Sequence, residues 1–267
     1  RRGNEESFIH DSVKKLESWG AVAIDINMGC PVDRALKHNY GVALMGDASY
    51  AASVTAMAVR AASVPVSVKL RAGFKGNKRE ELIAFAQGIQ GAGAQWITLH
   101  PRTAEQERRG AADWTIVREF KSALRIPVIG NGDAQCAEDL RTFFELSGCD
   151  RIMIGRALTA KPWLLSMARF DEQGRVIIGE DPSEDEQRHL YVRFLNRVID
   201  LMAEHYELPD SLRRLRFLVF HSHVWLEYGH PFYMRLKHAA TLEAAREVIA
   251  QDLSGSQRFI KRTQLRS

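Results

Sequence analysis

Five short runs of apolar, β-branched residues, each followed by an amphipathic stretch of helical period, constrain this chain more than any other feature. Strands are predicted over Val22–Ile26, Val64–Leu70, Trp96–Leu99, Ile126–Ile129 and Arg151–Ile154, with helices over about 47–62, 79–91, 113–124 and 137–146. Such alternation builds βαβ units, whose strands pair in parallel under a cover of helices. Gly91, Gly93 and Gly148 stand just past helices or in the turns that follow, where a helix stop is expected. At 267 residues, 45% hydrophobic and 26% charged, the chain has the length of one large barrel-type domain or of a domain with a smaller appendage. From about Ser183 the strand signals stop and long helical patterns take over, broken at Pro209 and near Gly229 and Pro231. A domain boundary is therefore placed between 171 and 182, at the Gly174 and Pro182 punctuation.

Polar residues collect where the strands end. The first strand runs into Asn27-Met28-Gly29-Cys30-Pro31, the second into Lys69 and Arg71, the third into His100-Pro101-Arg102-Thr103. The fourth runs into Gly130-Asn131-Gly132-Asp133 and the fifth into Gly155-Arg156. In α/β proteins the carboxyl ends of strands carry the chemistry. One polar strand end follows from solubility, but five in succession point to a shared site. Cys30 is a proton donor or nucleophile there, or a small packed hydrophobe. The two consecutive glycine turns suit a phosphate, which backbone amides can approach closely, with Arg156 adding charge; either turn alone is also an ordinary tight connection. Val66 and Val68 share one pleat face, so Lys69 lies on the other with Ser67 and Arg71. Inside a barrel a lysine is costly unless it meets something anionic.

Other classes are set aside on composition. No apolar run approaches the roughly 20 residues that cross a bilayer, and no apolar segment near the start reads as a signal peptide. Three cysteines, Cys30, Cys136 and Cys149, do not make a disulfide framework and suit a reducing cytoplasm. No Cys or His pairs stand at zinc-ligand spacing, so no metal is expected. The net charge of +4 permits a polyanionic partner without requiring one.

The segments Asp25-Ile26-Asn27-Met28-Gly29-Cys30-Pro31, Val66 to Gly73, Thr98 to Thr103, Pro127 to Asp133 and Met153 to Ala157, followed by Pro162-Trp163, resemble the tRNA-dihydrouridine synthases in order and spacing. The resemblance covers the chain from near residue 1 to about 165, and a helical C-terminal region belongs to it. It implies an FMN-binding (β/α)₈ TIM-type barrel over residues 1–171, of which only the last five strands are evident, and a helical tRNA-binding domain over 183–267. It implies that NADPH-reduced flavin delivers hydride to C6 of uridine in tRNA while the Cys30 thiol protonates C5; an ordinary thiol, with a pKa of about 8.5, keeps that proton at neutral pH. Lys69 and His100 are implied to contact the flavin ring, Asn131, Gly132, Asp133, Gly155 and Arg156 its ribityl and phosphate groups, and Asn27 and Arg102 the substrate or flavin. A cytoplasmic monomer is expected.

The family pattern also includes strands before this segment, and the flavin-contacting glutamine at the end of its third strand has no counterpart here. Five strands cannot close an eight-stranded barrel, so the chain is expected to be part of a longer protein or to lack its N-terminus, with an open sheet edge prone to aggregation. Pro101 replaces a smaller residue of the pattern, and the Lys37–Gly41 loop is bulky. Residues 183–267 hold 13 Lys/Arg against 11 Asp/Glu, so placement rather than bulk charge must carry RNA contact. Arg213 and Arg216, three apart on one helix face, are the candidates, and a solvated helix face is the bland account. His221 and His223 alternate and do not form a joint site. Two other functions share some of these features: an FMN barrel acting on a free small molecule such as a dihydropyrimidine or dihydroorotate, and a non-catalytic RNA-binding fragment. The Asn-x-Gly-Cys-Pro loop and the helical tail favour the tRNA enzyme.

Overall fold

A computed structural model describes residues 3–264 apart from 75 and 256, with the side chains of residues 3 and 4 left aside. Arg1, Arg2 and the last three residues of the expected helical domain lie outside the described residues. The chain begins with α1 (Gly3–Ser18), β1 (Ile24–Asn27), α2 (Asp33–Lys37), a 3-10 turn over Gly41–Gly46, α3 (Ala48–Ala61) and β2 (Val66–Arg71). It continues with α4 (Arg79–Gly91), β3 (Ile97–His100), α5 (Trp114–Ala123), β4 (Val128–Asn131), α6 (Ala137–Ser147) and β5 (Arg151–Met153). After a 3-10 turn at Arg156–Thr159 come α7 (Leu164–Met167), β6 (Ala168–Phe170) and β7 (Val176–Ile178). Four helices close the chain: α8 (Glu184–His205), α9 (Leu208–Ser222), α10 (Gly229–Lys237) and α11 (Leu242–Leu253). No described helix is long and apolar enough to cross a membrane.

The chain divides into two compact units, one of residues up to Asp133 with Phe143–Met153, the other of Ala134–Thr142 with Ile154–Gln264. The Gly174 and Pro182 punctuation thus falls inside the second unit.

In the first unit, β1 to β5 pair in parallel in the order β1-β2-β3-β4-β5. As the count of five strands implies, the sheet does not close into a barrel: among the described residues β1 and β5 are edges and no strand joins them. Four strands begin later than the apolar pattern suggested, β1, β2 and β4 by two residues and β3 by one; in β2 and β4 Pro65 and Pro127 lack the N–H a ladder needs. Their carbonyls still accept from Ile24 N at 2.9 Å and Ile97 N at 3.0 Å. The ends of β2, β3 and β4 shift with the starts, so Arg71, His100 and Asn131 join Lys69 in the sheet itself. Val68, Leu70, Ile97, Leu99 and Val128 are fully buried, each stabilising the fold by roughly 1.5–3 kcal/mol. Val13 of α1, Ala58 of α3, Ile24 and Val66 form one cluster of this core. The helix α1 and the β6–β7 hairpin had no counterpart among the predicted elements.

The second unit joins the antiparallel β6–β7 hairpin to the helices α8–α11. Gln135 is its hub: Oε1 accepts from Trp225 Nε1 at 3.3 Å and from Thr263 N at 2.9 Å, and its own carbonyl takes a hydrogen bond from Lys161 Nζ at 3.1 Å. Lys161 also donates to the Lys261 carbonyl at 2.8 Å, and burial lowers its pKa to about 8.

Gly130 shows how tightly β4 meets its helix. A Cβ there would stand 2.2 Å from Cζ of the fully buried Phe143, whose ring packs edge-on against Trp114 at 5.0 Å. Gly130→Ala is expected to lower stability by about 1–3 kcal/mol through overpacking. Gly88→Ala, inside α4 with nothing within 4 Å, is expected to raise it by up to about 1 kcal/mol. Urea midpoints that moved together for the two variants would contradict this packing account.

Candidate functional site at the strand ends

The register pairs Asn27 with Lys69, Lys69 with Thr98, Arg71 with His100, Thr98 with Ile129 and Asn131 with Met153. Paired residues share a pleat face and neighbours along a strand alternate. Asp25, Asn27, Lys69, Arg71, Thr98, His100 and Asn131 therefore occupy one face, and Ile26, Val68, Leu70 and Leu99 the other. The polar face carries the site and the apolar face carries the helices.

On β1, Asp25 accepts from Ser67 Oγ at 2.6 Å, and burial raises its pKa against the pull of Ser67 and Lys69. The Asn27 Oδ1 accepts from Gly29 N at 3.0 Å, which folds the chain back and leaves the exposed amide nitrogen free for a ligand. Cys30 follows as a half-buried free thiol. Its carbonyl accepts from Val42 N at 3.0 Å.

Lys69 is half-buried, and its ammonium has no hydrogen-bond or ion-pair partner among the described residues. Burial, and behind it the Arg71 charge, holds its pKa below the ordinary lysine value, with Asp25 and Cys30 pulling the other way. Arg71 is 7% exposed. It donates to the carbonyls of Gly29 at 2.8 Å, Thr103 at 2.9 Å and Glu107 at 2.7 Å. It thereby fastens the Cys30 loop to the loop after β3. Sequence reasoning placed Arg71 on the right face but gave it no role; the pleat alternation was the available signal.

Arg102 does not project freely toward a substrate. It is 2% exposed and donates to the Gly110 carbonyl, to Asp133 Oδ2 at 2.6 Å and toward His100 Nε2 at 3.2 Å. A guanidinium only donates, so Nε2 accepts and the ring proton sits on Nδ1. Burial first, then Arg71, Lys69 and Arg102, push the His100 pKa down to about 3, against a smaller opposing pull from Asp133. The imidazole is neutral at neutral pH. Asp133, with a left-handed φ of 59°, also accepts from Ala112 N at 2.8 Å. Gly132, at φ 109°, lies so close to the His100 ring that a Cβ would meet Cδ2 at 3.2 Å. Asn131 donates to the Met153 carbonyl at 2.7 Å.

Asn27, Cys30, Lys69, His100, Arg102, Asn131, Gly132 and Asp133 thus share the first unit. Gly155 and Arg156 belong to the second, where Gly155 precedes the Arg156–Thr159 turn. There the exposed Arg213 is paired with Asp210 at 2.7 Å, and Arg216 donates to the Ala239 carbonyl at 2.9 Å.

A parallel sheet that gathers a thiol, a neutral imidazole and buried cations at its carboxyl end defines an α/β protein with a candidate ligand site at the strand ends. The chain belongs to the dihydrouridine synthase (Dus) family, whose pattern matches residues 2–257. It is 33% identical over 230 residues to a Rickettsia prowazekii protein named "Probable tRNA-dihydrouridine synthase", covering 86% of this chain and 67% of that one. The Rickettsia typhi protein of the same name is 32% identical over 258 residues, covering 93% and 74%. The tRNA-dihydrouridine synthase B of Xanthomonas axonopodis pv. citri is 33% identical over 176 residues, covering 66% of this chain and 53% of that one. The chain spans from about half to three quarters of the length of these relatives.

The depressed His100 pKa has a consequence for stability. Between the ordinary histidine value near 6.5 and about 3, the unfolded chain binds a proton that the folded chain refuses. Its contribution is therefore complete above pH 6.5 and is lost as pH falls toward 3, since stability rises with pH wherever the unfolded state holds more protons. Urea midpoints measured across that range are expected to fall on acidification less steeply in His100→Gln than in the parent. Equal slopes would show that the imidazole is not held neutral.

Proposed function

We infer that this chain carries the catalytic face and the helical region of a tRNA-dihydrouridine synthase, an oxidoreductase that reduces the C5–C6 bond of uridine in tRNA. Family membership supports the activity, and the activity is assigned to the complete protein. The observation that carries the site is Lys69, a half-buried ammonium without a partner among the described residues, on the pleat face of Asn27 and beside the Cys30 loop. A buried cation is stabilised by an opposite charge, and the residues around Lys69 supply little.

The residues present fit FMN. Lys69 offers a cation to a ring system that carries negative charge when reduced, and the neutral His100 offers a hydrogen bond without competing charge. Asn131, Gly132 and Asp133 of the first unit are the proposed ribityl and phosphate contacts. Bound FMN supplies the two-electron reduction, drawn from NADPH. Cys30 holds the proton destined for C5 of the uracil on its Sγ. The Asn27 amide nitrogen orients the base edge, and Arg71 keeps the Cys30 loop in place. Arg102 acts at one remove, fixing His100 and Asp133, which replaces its expected substrate contact. Residues 1–171 are proposed as the cofactor-binding region and 183–267 as the tRNA-binding region, in a cytoplasmic monomer. Arg213 already gives its Nε and one Nη to Asp210, which leaves its other Nη for a phosphate.

The test uses the complete gene product expressed in cells lacking their own synthases, with dihydrouridine in tRNA read by mass spectrometry. Cys30→Ala is expected to lower dihydrouridine formation about 100-fold or more, the loss typical of a missing general acid. Lys69→Met is expected to purify with less bound flavin, read from its visible absorbance. A yellow, soluble parent protein that forms no dihydrouridine would transfer the assignment to a flavoenzyme acting on a free small molecule.

A further inference from the structure

Many arginines of the second unit are ion-paired, but three that share one cleft are not. Arg141 pairs with Glu180, Arg188 with Asp185, Arg235 with Asp252, Arg246 with Asp200 and Arg262 with Glu138. Arg169 of β6 and Arg193 and Arg197 of α8 have no hydrogen-bond, ion-pair or ring partner among the described residues. All three line one cleft of about 1150 Å³ between the β6–β7 hairpin and α8. Its apolar lining includes Met167, Phe194 and the 57% exposed Ile177. Glu180, Glu186 and Asp200 also border it. Glu180 and Asp200 are neutralised by Arg141 and Arg246, which leaves Glu186 against three arginines.

We propose that this cleft holds a stretch of RNA backbone, with Arg193 and Arg197 on successive phosphates and Arg169 facing them from the hairpin. Residues four apart on a helix stand about 6 Å from one another on one face, and the planar guanidinium fork matches phosphate oxygens in a way an ammonium does not. Along α8 the lining runs from Glu186 to Asp200, roughly 20 Å at 1.5 Å per residue, which suits a chain of phosphates better than a single free anion. Phe194 and Ile177 give a ribose or base edge an apolar surface, as proteins that track single strands do. The proposal rests on the tRNA reading above and adds to it a cleft other than the Arg213 and Arg216 face.

The experiment measures binding of an unmodified tRNA transcript to the full chain by fluorescence anisotropy over a salt series. Arg193→Gln/Arg197→Gln is expected to bind about tenfold more weakly near 100 mM salt, with the log–log salt slope shallower by about 2, one unit for each phosphate left unneutralised. Glu186→Gln is expected to bind more tightly, and Arg235→Gln, whose charge is already taken by Asp252, to bind as the parent does. Arg193→Lys/Arg197→Lys is expected to recover the slope but not all of the affinity, and matched thermal melts show that each variant is folded. An unchanged slope in the double Gln variant, with the parent binding normally, overturns the cleft and leaves the tRNA reading standing. Failure of the parent to bind tRNA overturns both. Displacement of the RNA by polyglutamate as readily as by an RNA of equal charge overturns the RNA assignment in favour of an acidic peptide.

Discussion

The Arg71 guanidinium ends β2 and makes no ion pair among the described residues; its hydrogen bonds run to three backbone carbonyls on two loops. Hydrogen bonds from a charged donor stabilise by about 1.5–3 kcal/mol each, and a buried guanidinium with any of them missing would be penalised heavily. The three bonds are therefore made together or the local structure changes. Because one carbonyl belongs to Gly29, the residue before Cys30, the position of the thiol follows from that of Arg71. The strand ends supply the residues, and this side chain sets their spacing.

Arg71 also shapes the electrostatics it sits in. Residues two apart on one face of a strand stand roughly 7 Å apart, where two unit charges repel by about 2 kcal/mol at an effective dielectric of 20. Lys69 feels that repulsion on top of its burial, and His100 feels it from Arg71, Lys69 and Arg102 together. The imidazole responds by staying neutral. Lys69 keeps an ammonium whose pKa is lowered, and an anionic ligand relieves it. The positive field at the sheet end thus has two results from one cause: a histidine that cannot compete for protons and a lysine that favours negative charge opposite it.

Much of this was legible in the residues. The period-two alternation around Val66 and Val68 placed Lys69 on the polar face, and the apolar runs located all five strands, because both signals are local. Pro65 and Pro127 were legible too, had their missing N–H groups been used to trim the strands. The fate of Arg102 was not, since its partner Asp133 lies 31 residues on and the Gly110 carbonyl has no sequence signature. Arg71 was hidden for the same reason: its acceptors are backbone atoms, 32 to 42 residues away, and any residue supplies a carbonyl. The β6–β7 hairpin escaped because three-residue strands are too short for a period to show. Its turn rests on Asp171, whose Oδ1 accepts from Gln173 N and Arg175 N.

The thiol and the amide proposed to meet the base both follow from β1, an edge strand paired only with β2 among the described residues. Four register pairs hold it, and beyond Asn27 the chain is retained by the Met28 N bond to the Lys69 carbonyl, by Arg71 on Gly29 and by Val42 N on the Cys30 carbonyl. Each of these bonds is to the backbone, so the Cys30 thiol and the Asn27 amide nitrogen remain available, with only Asn27 Oδ1 taken by Gly29 N, while the main chain that carries them is fixed. A general acid needs that combination, since proton transfer depends on donor placement within a few tenths of an ångström and on a proton not already engaged. Had a side-chain bond to the Cys30 Sγ held the loop, catalysis would have to break it. Anchoring the loop through carbonyls instead lets the edge of the sheet present its reactive groups without surrendering their geometry.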